Sequence, residues 1–265
     1  MYNISVTIIT ITYNDIVGLK KTLNSIDISL TNNTDNIEHL IINGNSTDGT
    51  AEYLYDYIKN RKLKTNIISE SDLGIYDAMN KGVLYSNNDY LIFINSGDIL
   101  LRNFNDSDIT SLIMNEMYND KSAGIAFGCN YNIFSFNFKV YPRFVNFQIP
   151  RMPTLHQGIL YKKAILLKMP YSLNYRICGD FENIVNILKD YYFNISNIFI
   201  SELTAGGLST QKPFVLYKES ISIFNIYYKP NLFKKIHYYF RLANSLIRFQ
   251  LIYRVLFFYN KIIRL

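Results

Sequence analysis

Tryptophan is absent from the 265 residues, and cysteine nearly so. Two cysteines, Cys129 and Cys178, are too few for a secreted disulfide scaffold or a cysteine-rich zinc site, and they read as buried thiols. Three histidines, His39, His156 and His237, exclude a three-histidine metal centre unless all of them converge. No run of about 18 uncharged apolar residues occurs, so no membrane-spanning helix is expected. The first residues carry no positive charge and pass straight into a strand-like run, so no secretory leader is expected. Neither an internal repeat nor a long low-complexity run is visible. No GxGxxG follows the first apolar run, and GxxxxGK[ST] occurs nowhere. The dinucleotide-binding and P-loop phosphate devices are therefore excluded. A phosphorylated ligand would have to be neutralised by a metal or by side chains.

What is present points to a folded enzyme-sized domain. Hydrophobic residues make up 49% and charged residues 18%, which excludes a disordered chain and a coiled coil. The length suits one large α/β domain or two small ones. The net charge of +6 is unevenly placed. Residues 211–265 hold ten Lys or Arg and one acid, Glu219, and so carry +9, while residues 1–210 carry −3. A basic end of this kind suits nucleic acid or an anionic lipid surface.

The first hundred residues alternate between two periods. Ile4 to Thr12, Leu40 to Ile42, Asn66 to Ser69 and Tyr90 to Asn95 read as strands. Between them, apolar residues fall at helical spacing: Ile16, Leu19, Leu23 and Ile26, then Ala51, Leu54, Tyr55 and Ile58, then Ile75, Ala78, Met79 and Val83. This βαβαβαβ order predicts a mostly parallel sheet flanked by helices, with its ligand beyond the carboxyl ends of the strands. Farther on, Ala123 to Cys129 and Ile195 to Ile200 read as strands, Asp180 opens a helix, and the chain after Pro213 is helical, aromatic and basic. Four acids border the strand ends: Asp48, Asp72, Asp77 and Asp98. Ser46, Thr47 and Asp48 are also N-cap candidates.

The runs VTIITITYN at 6–14, LIINGNSTDGT at 40–50, SESDLGIYDAMNKG at 69–82 and YLIFINSGD at 90–98 together resemble the family 2 glycosyltransferases of the GT-A fold. The likeness extends through His156-Gln157 and Gly179-Asp180-Phe181 to Gly206-Gly207-Leu208-Ser209, and so spans about residues 4–210. The bacterial enzymes of capsule, O-antigen and exopolysaccharide synthesis are the most similar variety. The resemblance implies a Rossmann-like catalytic domain over 1–210, with a nucleotide-sugar half at about 1–100 and an acceptor half at about 101–210. It implies inverting transfer of a hexosyl or N-acetylhexosaminyl group from a nucleotide diphospho-sugar, a UDP-sugar by expectation, to a hydroxyl of a lipid-linked saccharide.

The resemblance also implies roles. A Mg²⁺ or Mn²⁺ ion would stabilise the leaving diphosphate. The family's Asp-X-Asp is Ser96-Gly97-Asp98 here, which leaves Asp98 as the expected metal ligand and puts metal dependence in question. Asp180 would be the general base that takes the acceptor's proton. Thr12, Tyr13 and Asn14 would line the nucleotide, with Tyr13 stacking on the base. Asn43 stands where the family often reads uracil with an Asp. Asp72 would contact base or ribose, Lys81 could offset diphosphate charge, and Ser96 and Gly97 complete the donor set. His156, Gln157 and Arg176 are expected on the acceptor side.

Residues 211–265 are expected to form a basic amphipathic helical tail, with Arg241, Arg248 and Arg254 on one face beside Lys234, Lys235, Lys261 and Arg264. Such a tail would rest on an anionic membrane and hold the protein peripherally on the inner face of the cell membrane. A helix packed on the catalytic domain with a solvated basic face is the plainer alternative. Other readings stay open: sugar transfer to a polyprenyl phosphate, a catalytically inactive scaffold, or a nucleic-acid-binding protein. The acidic balance of residues 1–210 and the absence of a recognition motif argue against nucleic acid.

Overall fold

The structure is a computed structural model that describes residues 4–30, 36–59, 61, 63–117, 119–148 and 151–263. Strands β1 (Val6–Thr12), β2 (Ile37–Asn43), β3 (Thr65–Ser69) and β4 (Tyr90–Phe93) alternate with helices α1 (Ile16–Ser29), α2 (Thr50–Ile58) and α3 (Ile75–Tyr85). β1 and β2 are buried along their whole length, so they read as nearly continuous apolar, β-branched runs. The four strands pair in parallel in the order β3-β2-β1-β4. Alternate residues feed opposite cores. Ile9 and Ile11 of β1 join Met79 and Val83 of α3 on one face. Val6 and Ile8 join Ile26 of α1 on the other.

The second half comprises β5 (Ile99–Leu100), α4 (Ser107–Met117), β6 (Ser122–Ile133), β7 (Phe136–Val140), β8 (Ile159–Lys162), α5 (Lys163–Lys168), α6 (Gly179–Ile187), β9 (Tyr192–Thr204) and α7 (Leu208–Gln211). A 3₁₀ turn at His156–Gly158 precedes β8. These strands extend the same sheet as β4-β8-β6-β9-β5, with β7 beside β6. The expected parallel order holds for the first four strands and for β6 with β9. β8 runs antiparallel to β4 and β6, β7 to β6, and β5 to β9, so the sheet is mixed. The turn between β6 and β7 is too short for a crossover, which forces an antiparallel pair.

α8 (Pro213–Tyr228) and α9 (Leu232–Ile263) follow. α8 is not a loose extension. Its Ile223 is fully buried against Cys178 and Val185, with Leu216 packed alongside. Phe224 stacks on Tyr238 at 3.9 Å between ring centres, joining α8 to α9. The far end of α9 lies on the β6–β7 turn, where Phe134 meets Tyr253 and Phe136 meets Tyr259. The expected row of arginines is corrected by helix geometry. Arg241 and Arg248 are seven residues apart and share a side with Lys234. Arg254 comes six residues after Arg248, about 240° around the helix. Arg264 and the side chain of Lys261 lie outside the described residues. Among the described residues no helix is long and apolar enough to cross a membrane.

Candidate active site

Parallel register aligns the strand ends. Thr12 pairs with Asn43, and Asn43 with Ser69, while Ser96 N–H donates to Ile11 beside them. The polar segments after β1, β2, β3 and β4 therefore open on one rim, as doubly wound sheets require.

On the β1–β2 side, Tyr13, Gly44 and Asp72 converge. Tyr13 is 64% exposed, so its ring is free to stack. A Cβ on residue 44 would stand 2.4 Å from Asp72 Oδ2 and 3.3 Å from the Tyr13 ring, so a side chain there would displace the Asp72 carboxylate. Asp72 Oδ1 accepts from Gly74 N–H. Asn14 staples two loops: its N–H donates to Ser46 Oγ, and its Oδ1 accepts from Thr47 N–H at 2.8 Å. Asn43, expected to read uracil, is already engaged at both ends. Its Nδ2 donates to Ser69 Oγ, its Oδ1 accepts from Ser46 N–H, and the residue is buried. It shapes the loop rather than offering a free edge to a base.

Lys81 also departs from expectation. Its ammonium lies 3.0 Å from Glu70 and 3.3 Å from Asp77, and it donates to Ser71 O at 2.7 Å. These partners pin the β3–α3 loop and occupy the Lys81 ammonium. Two of the four rim acids are structural. Asp48 accepts from Ile16 N–H and from Thr50, tying the starts of α1 and α2 together. Asp77 accepts from Leu73 N–H.

Asp98 is the buried acid of the rim, at 8% exposure. Burial pushes its carboxyl up to about 7, against the pull of hydrogen bonds from Gln157 and Asn95 and the charge of Lys21. Gln157 Nε2 donates to Asp98 Oδ2 at 2.9 Å. Gln157, expected beside the acceptor, is thus tied to the acid of the donor side. Ser96 Oγ donates to Asp15 Oδ2 at 2.7 Å. An acid from the β1–α1 turn therefore stands next to Ser96. Asp15 also accepts from Gly18 N–H as the cap of α1, and capping was its visible signal.

Among the described residues no three His, Cys, Asp or Glu side chains gather into a metal cage. A carboxylate oxygen, such as those of Asp98, is the ligand type a hard cation takes.

His156 is buried and held neutral, its ring pushed down to about 3 by desolvation. Its Nδ1 is 3.2 Å from Tyr161 Oη, and its Nε2 is buried without a partner. The ring touches Phe93, and Tyr171 edge-on, at 5.1 and 5.9 Å between centres. Tyr171 in turn stacks on Tyr76 at 6.0 Å. The Tyr76 hydroxyl shares its one proton between Ile177 O at 2.6 Å and Asp180 Oδ1 at 3.2 Å. Side-chain contacts thus run from His156 through Tyr171 and Tyr76 to Asp180, while the neighbouring Gln157 bonds Asp98.

Asp180 sits in the first turn of α6, where its Oδ1 also accepts from Phe181 N–H. Burial raises its carboxyl above the ordinary value; the Phe181 and Tyr76 bonds oppose that rise. A Cβ on Gly179 would meet the Tyr76 ring at 2.6 Å, so α6 starts flush against α3 because glycine is there. Beside Tyr76 opens a cleft of about 420 Å³, lined among others by Leu73, Asp77, Arg176, Leu208 and Lys212. Arg176 is exposed at its mouth. Tyr76 and Tyr171 carry no local signal in the sequence, because their contacts lie far along the chain.

The family model described as Glycosyl transferase family 2 matches residues 7–149, more than half of the chain. An uncharacterized glycosyltransferase of Mycobacterium tuberculosis is 35% identical over 100 residues, which are 36% of this chain and 34% of that protein. A PGL/p-HBAD biosynthesis glycosyltransferase of Mycobacterium bovis is 25% identical over 147 residues, 55% of this chain and 56% of that one. The matched parts are thus about a third to about half of these relatives' lengths. Among solved structures, the mannosyltransferase PcManGT of Pyrobaculum calidifontis, in complex with GDP-Man and Mn²⁺, superposes with a TM-score of 0.64 at 13% identity. That match covers 87% of this chain and 66% of the other. TarS 1–349 of S. aureus, in complex with UDP-GlcNAc, gives 0.62 at 16% identity, covering 84% and 65%. The mixed α/β fold is that of these GT-A glycosyltransferases. This chain is a member of glycosyl transferase family 2.

Proposed function

We propose that the protein transfers a sugar, with inversion, from a nucleoside diphosphate sugar to a hydroxyl of a lipid-linked saccharide. The observation that supports this reading is the rim of polar residues at the carboxyl ends of the parallel strands, where Asp98 is buried, together with Asp180 bonded to Tyr76, whose ring lines an open cleft. In the reaction the Asp180 carboxylate takes the acceptor hydroxyl's proton. The acceptor oxygen bonds to the anomeric carbon as the bond to the diphosphate breaks, and the nucleoside diphosphate leaves. Tyr76 orients Asp180, and burial keeps the carboxyl basic enough for the task. A Mg²⁺ or Mn²⁺ ion, held by Asp98 together with diphosphate oxygens, would lend Lewis-acid stabilisation to the leaving group. Tyr13 stacks on the base above Gly44, with Asp72 at its edge. Asn43, at the position expected to read uracil, has its amide bonded to Ser69 and Ser46. The base is therefore assigned by screening UDP- and GDP-sugars alike.

The lipid-linked acceptor is supported by the tail. Leu232, Ile236, Phe240, Ile247 and Leu251 are each more than half exposed and fall along one side of α9, with Lys234, Arg241 and Arg248 beside them. A groove of about 460 Å³ between α8 and α9, lined by Phe214, Tyr217, Leu246 and Ile247, has Arg254 at its edge. Apolar side chains bordered by cations suit an anionic membrane interface.

The test is a transfer and hydrolysis screen of nucleotide sugars with Mg²⁺ or Mn²⁺, read by mass spectrometry. Asp180→Asn should keep nucleotide binding and lose transfer by about 10²-fold or more. Normal transfer by that variant would place the base elsewhere. Binding of nucleotide with no turnover of any donor by the wild type would favour a scaffold.

A further inference from the structure

Glu219 is the one acid in the basic last fifth of the chain, and it does not face solvent cations. It lies on α8 and turns its carboxylate onto the loop that opens α6. Oε1 accepts from Arg176 N–H at 2.8 Å. Oε2 accepts from Ile177 N–H at 3.0 Å and from Cys178 N–H at 2.9 Å. Three successive backbone donors thus converge on one carboxylate, a concave array of the kind that binds anions. Charge-assisted bonds of this type are roughly twice as strong as neutral ones.

The clamped segment ends two residues before Asp180. The same peptides are gripped from the opposite side, because Tyr76 donates to Ile177 O. The Cys178 thiol sits 3.5 Å from both Leu216 O and Ser220 Oγ of α8. Ile223 closes the contact from below, buried against Cys178 and Val185. Without Glu219, three N–H groups at the start of α6 would lose their partner, and the loop would be free to tilt the helix that carries Asp180.

We propose that Glu219 is a positioning residue for the transfer reaction: by holding the 176–178 backbone it fixes the start of α6 and hence the aim of the Asp180 carboxylate. This rests on the reading of Asp180 as the base. Glu219 acts through the backbone and need not touch substrate. It also makes α8 part of the catalytic machinery, so a boundary at residue 211 divides a working unit.

Two measurements test it. Amide hydrogen exchange of the full-length protein needs no substrate. Glu219→Ala should speed exchange at residues 176–178 by about tenfold or more, leaving β1 to β4 protected. Unchanged exchange at those amides overturns the clamp. Transfer kinetics form the second arm, using the donor found in the screen. Glu219→Ala should lower kcat by about 10- to 100-fold with donor KM nearly unchanged. Glu219→Asp should recover part of the loss, and serves as well if the alanine variant folds poorly. In an Asp180→Asn background, Glu219→Ala should cost little further, because both changes disable one unit. A fully additive loss would show that Glu219 does not act through Asp180. If Asp180→Asn itself transfers normally, the base assignment fails, and the exchange result still decides the clamp.

Discussion

A carboxylate serves as a base only while ionised, and the surroundings of Asp180 work against ionisation. Burial raises its carboxyl; Tyr76 opposes the rise, and Glu219 adds to it. Tyr161, Tyr171 and Cys178 are the other titratable neighbours. Activity should therefore climb with pH through a limb lying above the ordinary carboxylate range. Tyr76→Phe removes a hydrogen bond that favours the charged form, so the limb should move to higher pH in a kcat profile. A limb unmoved by that change would mean that Tyr76 does not bond the working carboxylate. The places of Asp180, Asp98 and Tyr13 were legible in the sequence because each follows a strand or opens a helix. The bonds of Asn43, Lys81 and Gln157 were not legible. Each finds its partner, Ser69, Glu70 or Asp98, in another segment of the rim. A sequence shows the side chain but not the partner that has already claimed it.

At the level of elements, local pattern carried far. β1 to β4 and α1 to α3 stand where hydrophobic period placed them, because buried parallel strands and one-sided helices leave distinct signatures. The second half was harder. β6 and β9 are long and irregularly paired, with register shifts where Ser122, Phe127 and Gly128 meet β9. Such bulges break the alternation that reveals a strand. The contact between α3 and α6 could not be read locally at all, since it depends on Tyr76 meeting Gly179 across 103 positions of chain. Gly179→Ala should push α6 off the Tyr76 ring. Overpacking of this kind costs about 1–3 kcal/mol, to be measured by denaturant unfolding. It should lower transfer more than nucleotide binding, because Tyr13 and Asp72 lie on other elements. Equal losses in both would argue that the two sites are not separable.

Across the whole molecule, two buried imidazoles set a pH limit on stability. His39 and His156 are held neutral in the fold, both displaced below the usual 6.5 by desolvation. Unfolded, they take up protons near 6.5, so the unfolded state binds more protons below that pH. Stability from these groups is present above 6.5 and drains away as pH falls. The thermal midpoint should thus be lower at about pH 5 than above neutrality, and His156→Gln should narrow the gap. The tail offers a separate test. Removing residues 230–265 spares Glu219 and should shift the protein from membrane to soluble fractions, and abolish binding to anionic vesicles over neutral ones. Unchanged fractionation would count against the membrane reading.

Period and composition alone determined the alternation of strands and helices, the rim on which polar residues gather, and the concentration of positive charge at the end of the chain. These follow from neighbours in sequence, where hydrophobic spacing and charge are directly visible. Tertiary structure decided which polar groups remain free for a ligand and which are already bonded. It also decided that β8 would turn antiparallel and that Glu219 of α8 would bond the loop that opens α6. Those outcomes depend on hydrogen bonds and close contacts between residues tens of positions apart, and such geometry exists only once the chain has folded.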